Sequence, residues 1–163
     1  MHVANLEDAW LDGADLSGAR GSGASFERSS GQGMQLTDAG FVGASFECAR
    51  LAGAVLRAAA LARCNFEAAD VSDLRETNLE RVHFRQAKLQ EARLSRVNAE
   101  GADFSGAQLD KADGSEANFE DADFTGASLR GMTPSRCNFE GARFSGAYLA
   151  RMDHGPRAVR CTS

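Results

Sequence analysis

The large apolar residues of this chain recur at every fifth position through almost its whole length. The Leu and Phe residues fall in two five-residue phases, one running from Leu6 to Phe66 and the other from Leu74 to Leu149. The position two residues before each of these centres is most often alanine, which stands there in 21 of 30 repeats. A helix places apolar residues about every 3.6 positions and a strand every second one, so a sustained period of five predicts neither as the main element.

A chain that turns a corner once in every five residues does account for this period. Each repeat then directs its centre residue and the residue two positions before it inward, and exposes the other three positions to solvent. Those three positions hold almost all of the charged and amide side chains and many of the 17 glycines. Glycine suits corner residues because it adopts a positive φ without strain. The pattern therefore predicts a stack of corners around a narrow apolar core.

Several repeats carry a motif that is specific enough to indicate a family. The resemblance is to pentapeptide-repeat proteins, whose consensus is A(D/N)LXX, and it covers about residues 4 to 149. Examples are Ala4-Asn5-Leu6-Glu7-Asp8, Ala14-Asp15-Leu16-Ser17-Gly18, Ala102-Asp103-Phe104-Ser105-Gly106 and Ala122-Asp123-Phe124-Thr125-Gly126. The resemblance implies an all-β fold, a right-handed quadrilateral parallel β-helix with four repeats in each 20-residue coil. The 30 repeats then make about 7–8 coils.

A 20-residue superperiod in the phenylalanines supports this architecture and exposes one irregularity. Two sets of phenylalanines, each with a spacing of 20 residues, predict an aromatic column on one face, and a step of 18 residues separates the two sets. They are Phe26, Phe46 and Phe66, and Phe84, Phe104, Phe124 and Phe144. We expect the β-helix to occupy residues 1–154 with a phase break near 71–74, and residues 155–163 to form a short, basic, flexible tail. At the break, the column favours a coil shortened to 18 residues, whereas the low closure cost of an outward insertion favours a three-residue bulge.

A few repeats lack a large centre residue. Glycine stands there at Gly21, Gly31 and Gly114, and Pro134 occupies another centre and also removes a ladder N–H. We expect each to leave a gap in the core column and the first coils to be the least stable. A distorted binding loop around Pro134, at residues 132–135, is the functional alternative to an imperfect repeat.

Composition and residue spacing exclude several classes of function. At 163 residues the chain has room for one domain, and no apolar run approaches the ~20 residues of a membrane span. The four cysteines have no metal-type spacing, and free thiols are typical of a reducing compartment. No histidine, nucleophile and acid are brought together, so we predict no catalytic residues, cofactor or metal site and no enzymatic activity. The expected location is the cytoplasm of a bacterium, with neither membrane association nor direct nucleic-acid binding.

Charge is distributed unevenly along the chain. Residues 75–96 have a net charge of +3, and residues 98–123 have a net charge of −7. Two glutamate columns with 20-residue spacing are predicted, one of them at Glu27, Glu47 and Glu67, and an asparagine column precedes the other. Like charges roughly one strand spacing apart repel, so such columns cost stability. Repeat duplication explains them without any function, whereas a basic partner would give them one. The predicted partner-binding acidic surface comprises Glu80, Glu100, Asp103, Glu120, Asp123 and Glu140.

Two functions are compatible with a rigid rod that has a varied polar surface. The first is a protein-interaction module or scaffold with an unidentified protein partner. The second follows from the resemblance, because some pentapeptide-repeat proteins mimic B-form DNA and bind type II topoisomerases such as DNA gyrase, which they inhibit or protect. This chain departs from those members in its net charge of only −5 and in its basic band. The ends of a solenoid need caps, so an end-to-end homodimer is also predicted.

Overall fold

Four ladders of parallel bridges run the length of the molecule in the computed structural model, which describes residues 3–150. Residues 151–154 of the predicted β-helix and the predicted tail lie outside the described residues. Each ladder joins residues 20 apart, or 18 apart at the phase break, and defines one face. Face 1 contains Asn5 to Arg143, face 2 contains Trp10 to Tyr148, face 3 contains Asp15 to Thr133 and face 4 contains Arg20 to Asn138. Each corner is named by the faces that it joins, so corner 4/1 leads from face 4 to face 1.

The backbone hydrogen bonds of a single repeat explain why five residues complete one side of a coil. Phe104 and Gly106 donate their N–H groups to the next coil, at 2.7 and 2.9 Å, and Asp103 donates to the preceding coil at 2.9 Å. Ala107 donates back to the Phe104 carbonyl at 3.0 Å and closes a turn whose third residue, Gly106, has φ +66°. A positive φ at that position is the signature of a type II turn. Successive coils are thus connected on every side by backbone bonds.

The Asp or Asn of the repeat motif has a local structural purpose. In ten repeats its side-chain oxygen accepts the backbone N–H of the first corner residue, two positions on. The bond is 2.9 Å long at Asp15 and 2.8 Å long at Asp123. Short Asp and Asn side chains make this Asx-type bond readily. It satisfies a corner N–H that the ladders leave free.

The core of the rod is a stack of single residues, and the predicted phenylalanine column is present. Rings one coil apart lie 4.6 Å apart, centroid to centroid, between Phe26 and Phe46, and 5.0 Å apart between Phe104 and Phe124. The column continues across the phase break, where Phe66 and Phe84 stack at 5.1 Å with an interplanar angle of 23°. Inward alanines leave room for this stacking, because their side chains fill little of the narrow interior.

The phase break is an 18-residue coil, the first of the two predicted alternatives. Strand β1 (Arg50–Val55) pairs in parallel with strand β2 (Asp70–Asp73), and the two are the multi-residue strands of the described chain. The register runs from Arg50 with Asp70 to Val55 with Asp73, so β2 passes directly from face 2 to face 3 without the two corner residues. The Gly53 N–H donates at 3.0 Å to the Ser72 hydroxyl instead of to a corner carbonyl. One side chain thereby satisfies the donor that the shortened coil would otherwise leave unpaired.

The gaps expected at the glycine centres are filled, so that prediction was wrong. A methyl group added at Gly21 would lie 2.6 Å from the Phe41 ring, and one at Gly114 would lie 2.5 Å from the Met132 Cε atom. At Gly31 the space is taken by Met34 and Leu51. Large inward side chains from the same or the next coil therefore replace the missing centre residues. This exchange of volume keeps the interior close-packed.

The loop distortion considered around Pro134 is also absent. Thr133 bridges to Asp113 as its position requires, and both Met132 and Pro134 are buried. A centre residue donates its N–H toward the following coil, as Gly114 does to Thr133. Pro134 lies in the last described coil, so its missing N–H withdraws no bond from the coil before it. Residues 132–135 form an ordinary repeat.

Candidate functional site

The fold brings the six predicted acidic residues together along one edge. Four of them, Glu80, Glu100, Glu120 and Glu140, are the first residues of corner 4/1 in successive coils and form what we name the 4/1 glutamate column. Asp103 and Asp123 bridge to each other on the adjoining face 1. All six are exposed or half-buried. Because stacked coils are separated by about 4.8 Å, each carboxylate has a like-charged neighbour in the next coil.

Few cations neutralise this edge. Glu80 lies 3.8 Å from Arg81 of its own repeat, and no ion pair within residues 3–150 involves the other three glutamates of the column. The two aspartates have only long contacts, at 3.9 Å to Arg85 and 4.0 Å to Arg143. Contacts of this length between exposed groups contribute little stability. The column is therefore free to attract cations from solution.

An asparagine ladder supports the column from face 4. The Asn118 amide donates to the Asn98 side chain at 3.1 Å, and the Asn138 amide donates to the Asn118 side chain at 2.9 Å. Asn138 also contacts Glu120, at 3.2 Å. Asn118 and Asn138 also accept the backbone N–H groups of the glutamates that follow them, at 3.3 and 3.0 Å. These bonds hold the backbone of the corner in register while the carboxylates project outward.

The other predicted glutamate column lies along the opposite edge of face 1 from the 4/1 glutamate column. The sequence analysis did not predict that the two columns share a face. Glu27, Glu47 and Glu67 follow the face 1 bridge residues and therefore stand at corner 1/2. Face 1 together with its two corners is named the acidic face. The sequence contains this information, because the glutamates of both columns directly follow centre residues whose face can be found by counting.

A count by face shows how concentrated the charge is. The acidic face carries twelve acidic and five basic residues, a net charge of −7, whereas face 3 with its two corners carries nine acidic and seven basic residues, a net charge of −2. The acidic residues of the acidic face are Glu7, Asp8, Glu27, Glu47, Glu67, Glu80, Glu100, Asp103, Glu120, Asp121, Asp123 and Glu140, and its basic residues are Arg28, Arg63, Arg81, Arg85 and Arg143.

Corner 3/4 has charges at its second position that alternate in sign. There Glu76, Arg96, Glu116 and Arg136 succeed one another coil by coil, and Arg96 lies 3.9 Å from Glu76 and 3.1 Å from Glu116. Arg57 adds a contact to Glu76 at 3.2 Å. We name this set the 3/4 alternating column. It shows that this backbone can pair opposite charges from coil to coil, which the 4/1 glutamate column does not do.

A shallow groove of about 620 Å³ lies within the acidic face at corner 4/1. Of the basic residues in the band at residues 75–96, Arg81 lines the groove, next to part of the predicted acidic surface. The lining residues are Arg63, Arg81, His83, Glu100, Gly101 and Asp121. Of these, only Glu100 belongs to the predicted acidic surface. Asp121 was missed as a site residue, although it follows Glu120 directly.

One carboxylate of this region, Asp123, is held in its charged form by local hydrogen bonds. Burial acts to raise the pKa of Asp123, but hydrogen bonds from the Thr125 side chain and backbone N–H outweigh it, and the pKa lies below its ordinary value. In the core, burial raises the pKa of the Cys64 and Cys137 thiols to about 12, so neither is a thiolate at neutral pH. Cys48 is exposed, and these three cysteines are free.

The described residues contain no cluster of three or more His, Cys, Asp and Glu side chains that could hold a metal ion. Nothing helical within residues 3–150 has the length and apolarity of a membrane span. The site presents surface charge of defined position.

Family models support the assignment that the repeats indicated. The model for pentapeptide repeats (8 copies) matches residues 4–30, 35–73, 72–106, 92–131 and 117–151. The chain belongs to the pentapeptide-repeat family. No curated protein matches it.

Solved structures of other family members resemble the chain. HetL, a pentapeptide-repeat protein involved in heterocyst differentiation regulation in Nostoc sp. strain PCC 7120, is 24% identical over 92% of this chain and 86% of its own, with a TM-score of 0.56. QnrB1, a plasmid-mediated fluoroquinolone resistance protein, is 19% identical over 94% and 86%, with a TM-score of 0.44. A pentapeptide-repeat protein of the Arabidopsis thaliana thylakoid lumen is 27% identical over 64% and 71%, with a TM-score of 0.30. The likeness to HetL concerns the fold alone.

Proposed function

We propose that this chain is a non-enzymatic protein-interaction rod whose acidic face binds a basic surface on a protein partner. The right-handed course of the β-helix and a location in the bacterial cytoplasm are part of the proposal and come from the family resemblance and the composition. HetL, which shares the fold, is described as taking part in regulation. A rigid solenoid suits such a role, because its outward side chains keep fixed spacings.

One observation carries the proposal: the 4/1 glutamate column has one sign of charge over four coils and remains largely unpaired. Stability alone favours alternation, which the 3/4 alternating column achieves on the same backbone with contacts as short as 3.1 Å. Like charges facing each other across neighbouring strands are destabilising. A column that carries this cost without internal compensation is explained by cations that a partner brings to it, since electrostatic complementarity speeds encounter and selects partners.

Charge reversal with a matched control tests the proposal. The double variant E100K/E120K should lose the partner that wild-type protein captures from a lysate of the source organism. The control D38K/E91K changes the net charge equally, but its positions are at corners 3/4 and 2/3, so it should retain the same partner. Quantitative mass spectrometry of both captures, followed by titration of the purified partner, measures the effect. Equal retention by both variants, or equal loss, would show that the acidic face is not the binding surface.

DNA mimicry toward a type II topoisomerase is the second candidate, and the placement of both glutamate columns on one face favours it. The magnitude of the charge opposes it. The acidic face has a net charge of −7 along seven coil spacings of about 4.8 Å, which amounts to one charge in about 5 Å. B-form DNA carries one charge per roughly 1.7 Å. If sub-stoichiometric protein neither inhibits nor protects DNA gyrase in a supercoiling assay, this candidate is wrong.

The end-to-end homodimer stays a prediction. The apolar residues of the first coil, Leu6, Leu11 and Leu16, are only half-buried, unlike Leu36 and Leu56 farther along the rod. Burying that surface against another molecule would be favourable, at about 25 cal/mol for each Å². Sedimentation velocity over a wide concentration range tests it, and a monomer throughout would contradict it.

A further inference from the structure

At the second position of three of the four corners, opposite charges in successive coils form ion pairs. The pairs are Arg28 with Asp8 at 3.0 Å, Lys111 with Glu91 at 3.0 Å and Arg96 with Glu116 at 3.1 Å. The partners in each pair are 20 residues apart, so their side chains start from adjacent coils. A separation of about 4.8 Å between coils lets two long side chains meet.

Corner 4/1 breaks this rule because a glycine stands between the opposite charges. Its second positions read Arg63, Arg81, Gly101 and Asp121 along the rod. Arg81 and Asp121 are therefore two coils apart, about 10 Å, and no ion pair joins them. Within residues 3–150, neither Arg63 nor Asp121 takes part in an ion pair.

The groove lies between Arg81 and Asp121, and its two ends have opposite charge. Arg63, Arg81 and His83 line the basic end, Glu100 and Asp121 line the acidic end, and Gly101 lies between them. Position 101 projects no side chain that could neutralise either end or fill the space. A ligand of a single sign would be attracted at one end and repelled at the other.

We propose that this groove binds an extended peptide segment of the protein partner in which an acidic residue and a basic residue stand about three residues apart. The proposal rests on the proposed function and adds the pair of opposite charges, with their spacing, that the partner presents. An extended chain advances about 3.3 Å per residue, so three residues span the ~10 Å between the ends. The peptide carboxylate pairs with the two arginines, whose guanidinium groups suit carboxylates, and the basic side chain pairs with Glu100 and Asp121.

The variant Gly101→Glu places a carboxylate in the coil between Arg81 and Asp121 without disturbing the backbone. Gly101 has φ +62°, and Glu76 and Glu116 already adopt φ +60° at equivalent positions. A Cβ atom at position 101 would lie 3.5 Å from the Arg81 Cγ atom, an ordinary contact. The new carboxylate would be one coil from Arg81 and would pair with it internally.

A matched control exists in the same coil. Gly106 has φ +66°, its added Cβ atom would lie 3.7 Å from the Gln86 Cγ atom, and it stands at corner 1/2 rather than in the groove. Gly106→Glu therefore changes the net charge and the corner chemistry equally but leaves the groove intact. Thermal unfolding of both variants confirms that each is folded.

Two labelled hexapeptides provide the test, measured by fluorescence anisotropy at low ionic strength. One has the mixed order Asp-Glu-Gly-Gly-Lys-Arg and the other is the all-basic Lys-Arg-Gly-Gly-Lys-Arg. Wild-type protein should bind the mixed peptide more tightly. Gly101→Glu and the double variant R63A/R81A should weaken it about fivefold, as expected for the loss of two exposed ion pairs, while Gly106→Glu should not. For R63A/R81A, affinity for the all-basic peptide should rise.

The contrary results separate this inference from the proposed function. Wild-type protein that binds the all-basic peptide as tightly as the mixed one would overturn the groove assignment and leave a basic partner in place. Equal weakening by Gly101→Glu and Gly106→Glu would overturn it as well, because the effect would then reflect net charge. Absence of binding to both peptides also overturns the groove assignment, whereas the proposed function depends on the charge-reversal captures.

Discussion

Corners 3/4 and 4/1 flank the same face and share its asparagine ladder, yet they treat charge in opposite ways. The 3/4 alternating column places Arg96 between Glu76 and Glu116, with contacts of 3.9 and 3.1 Å. Across the face, Glu100 and Glu120 have no ion-pair partner within residues 3–150. Coil spacing and the neighbouring face are the same, but the alternating charges stand at the second corner position and the glutamates at the first, so the difference lies in the corner position and in the side chains.

The comparison teaches how a repeat protein divides its residues between structure and recognition. The backbone ladders, the Asx-type bonds and the buried column are sufficient to stack the coils wherever they occur. Outward corner positions then vary without changing the fold, because each coil contacts only its neighbours. A corner that alternates in sign adds stability, and a corner that does not is available for a partner.

The largest effect is expected from the ladder that both corners share. Asn118→Ala removes the bonds to Asn98 and from Asn138, at 3.1 and 2.9 Å, and the bond from the Glu120 N–H at 3.3 Å. Three such bonds, each contributing about 0.5–1.5 kcal/mol, predict a loss of about 2 kcal/mol in the free energy of unfolding. Urea unfolding measures it. Asn78→Ala, whose side chain accepts one backbone bond at 3.0 Å, is the control and should lose less than half as much.

Much of this architecture could be predicted from the sequence, and what could not depends on side-chain reach. The five-residue period and the phenylalanine spacing specify the faces, because each residue's place follows from counting. The role of Ser72 could not be derived, since it depends on which N–H loses its carbonyl in the shortened coil. Likewise, counting finds the empty centre at Gly114 but does not show that Met132 fills it.

The same distinction applies to the site. The 4/1 glutamate column follows from the 20-residue spacing, and its members do share an edge. Counting does not show which charges pair, because pairing requires that two flexible side chains meet. The separation of Arg81 from Asp121 by Gly101 is visible only once corner positions are assigned to coils.

A second, smaller effect is expected from making the alternating corner uniform. Arg96→Glu would replace two attractive contacts with repulsion between three successive carboxylates, and should destabilise the protein by about 1 kcal/mol at low salt. Arg96→Gln should lose about half of that. Urea unfolding in low and high salt checks both, since screening should reduce the difference. A loss that is the same in Arg96→Gln and Arg96→Glu would show that charge order at this corner has no effect.

The reverse change, making the uniform corner alternate, should stabilise the protein slightly. Glu100→Lys places a cation between Glu80 and Glu120 and should add about 0.5 kcal/mol, whereas Glu100→Gln should add less. Thermal unfolding at low salt measures the gain. The same Glu100→Lys protein should bind the partner more weakly, so stability and binding move in opposite directions. If Glu100→Lys is less stable than wild type, the column does not carry the proposed electrostatic cost.

The smallest effect concerns a single carboxylate of the acidic face and depends on pH. Burial acts to raise the pKa of Asp123, but its bonds with Thr125 and its attraction to Arg143 outweigh burial, so the pKa lies below the ordinary 3.8. A lowered folded-state pKa means that the ionised group stabilises the fold above about pH 4, and that this contribution is lost as the pH falls through the folded-state value.

Asp123→Asn should therefore be slightly less stable than wild type at pH 7 and should match it in acid, at pH values below the folded-state pKa of Asp123. Urea midpoints measured across this range check the prediction, and Thr125→Val should weaken the pH dependence by removing a hydroxyl that holds the charge. A difference between Asp123→Asn and wild type that persists unchanged in acid would assign the effect to packing. The expected result would show that local hydrogen bonds keep this carboxylate ionised although Asp103 stands in the next coil.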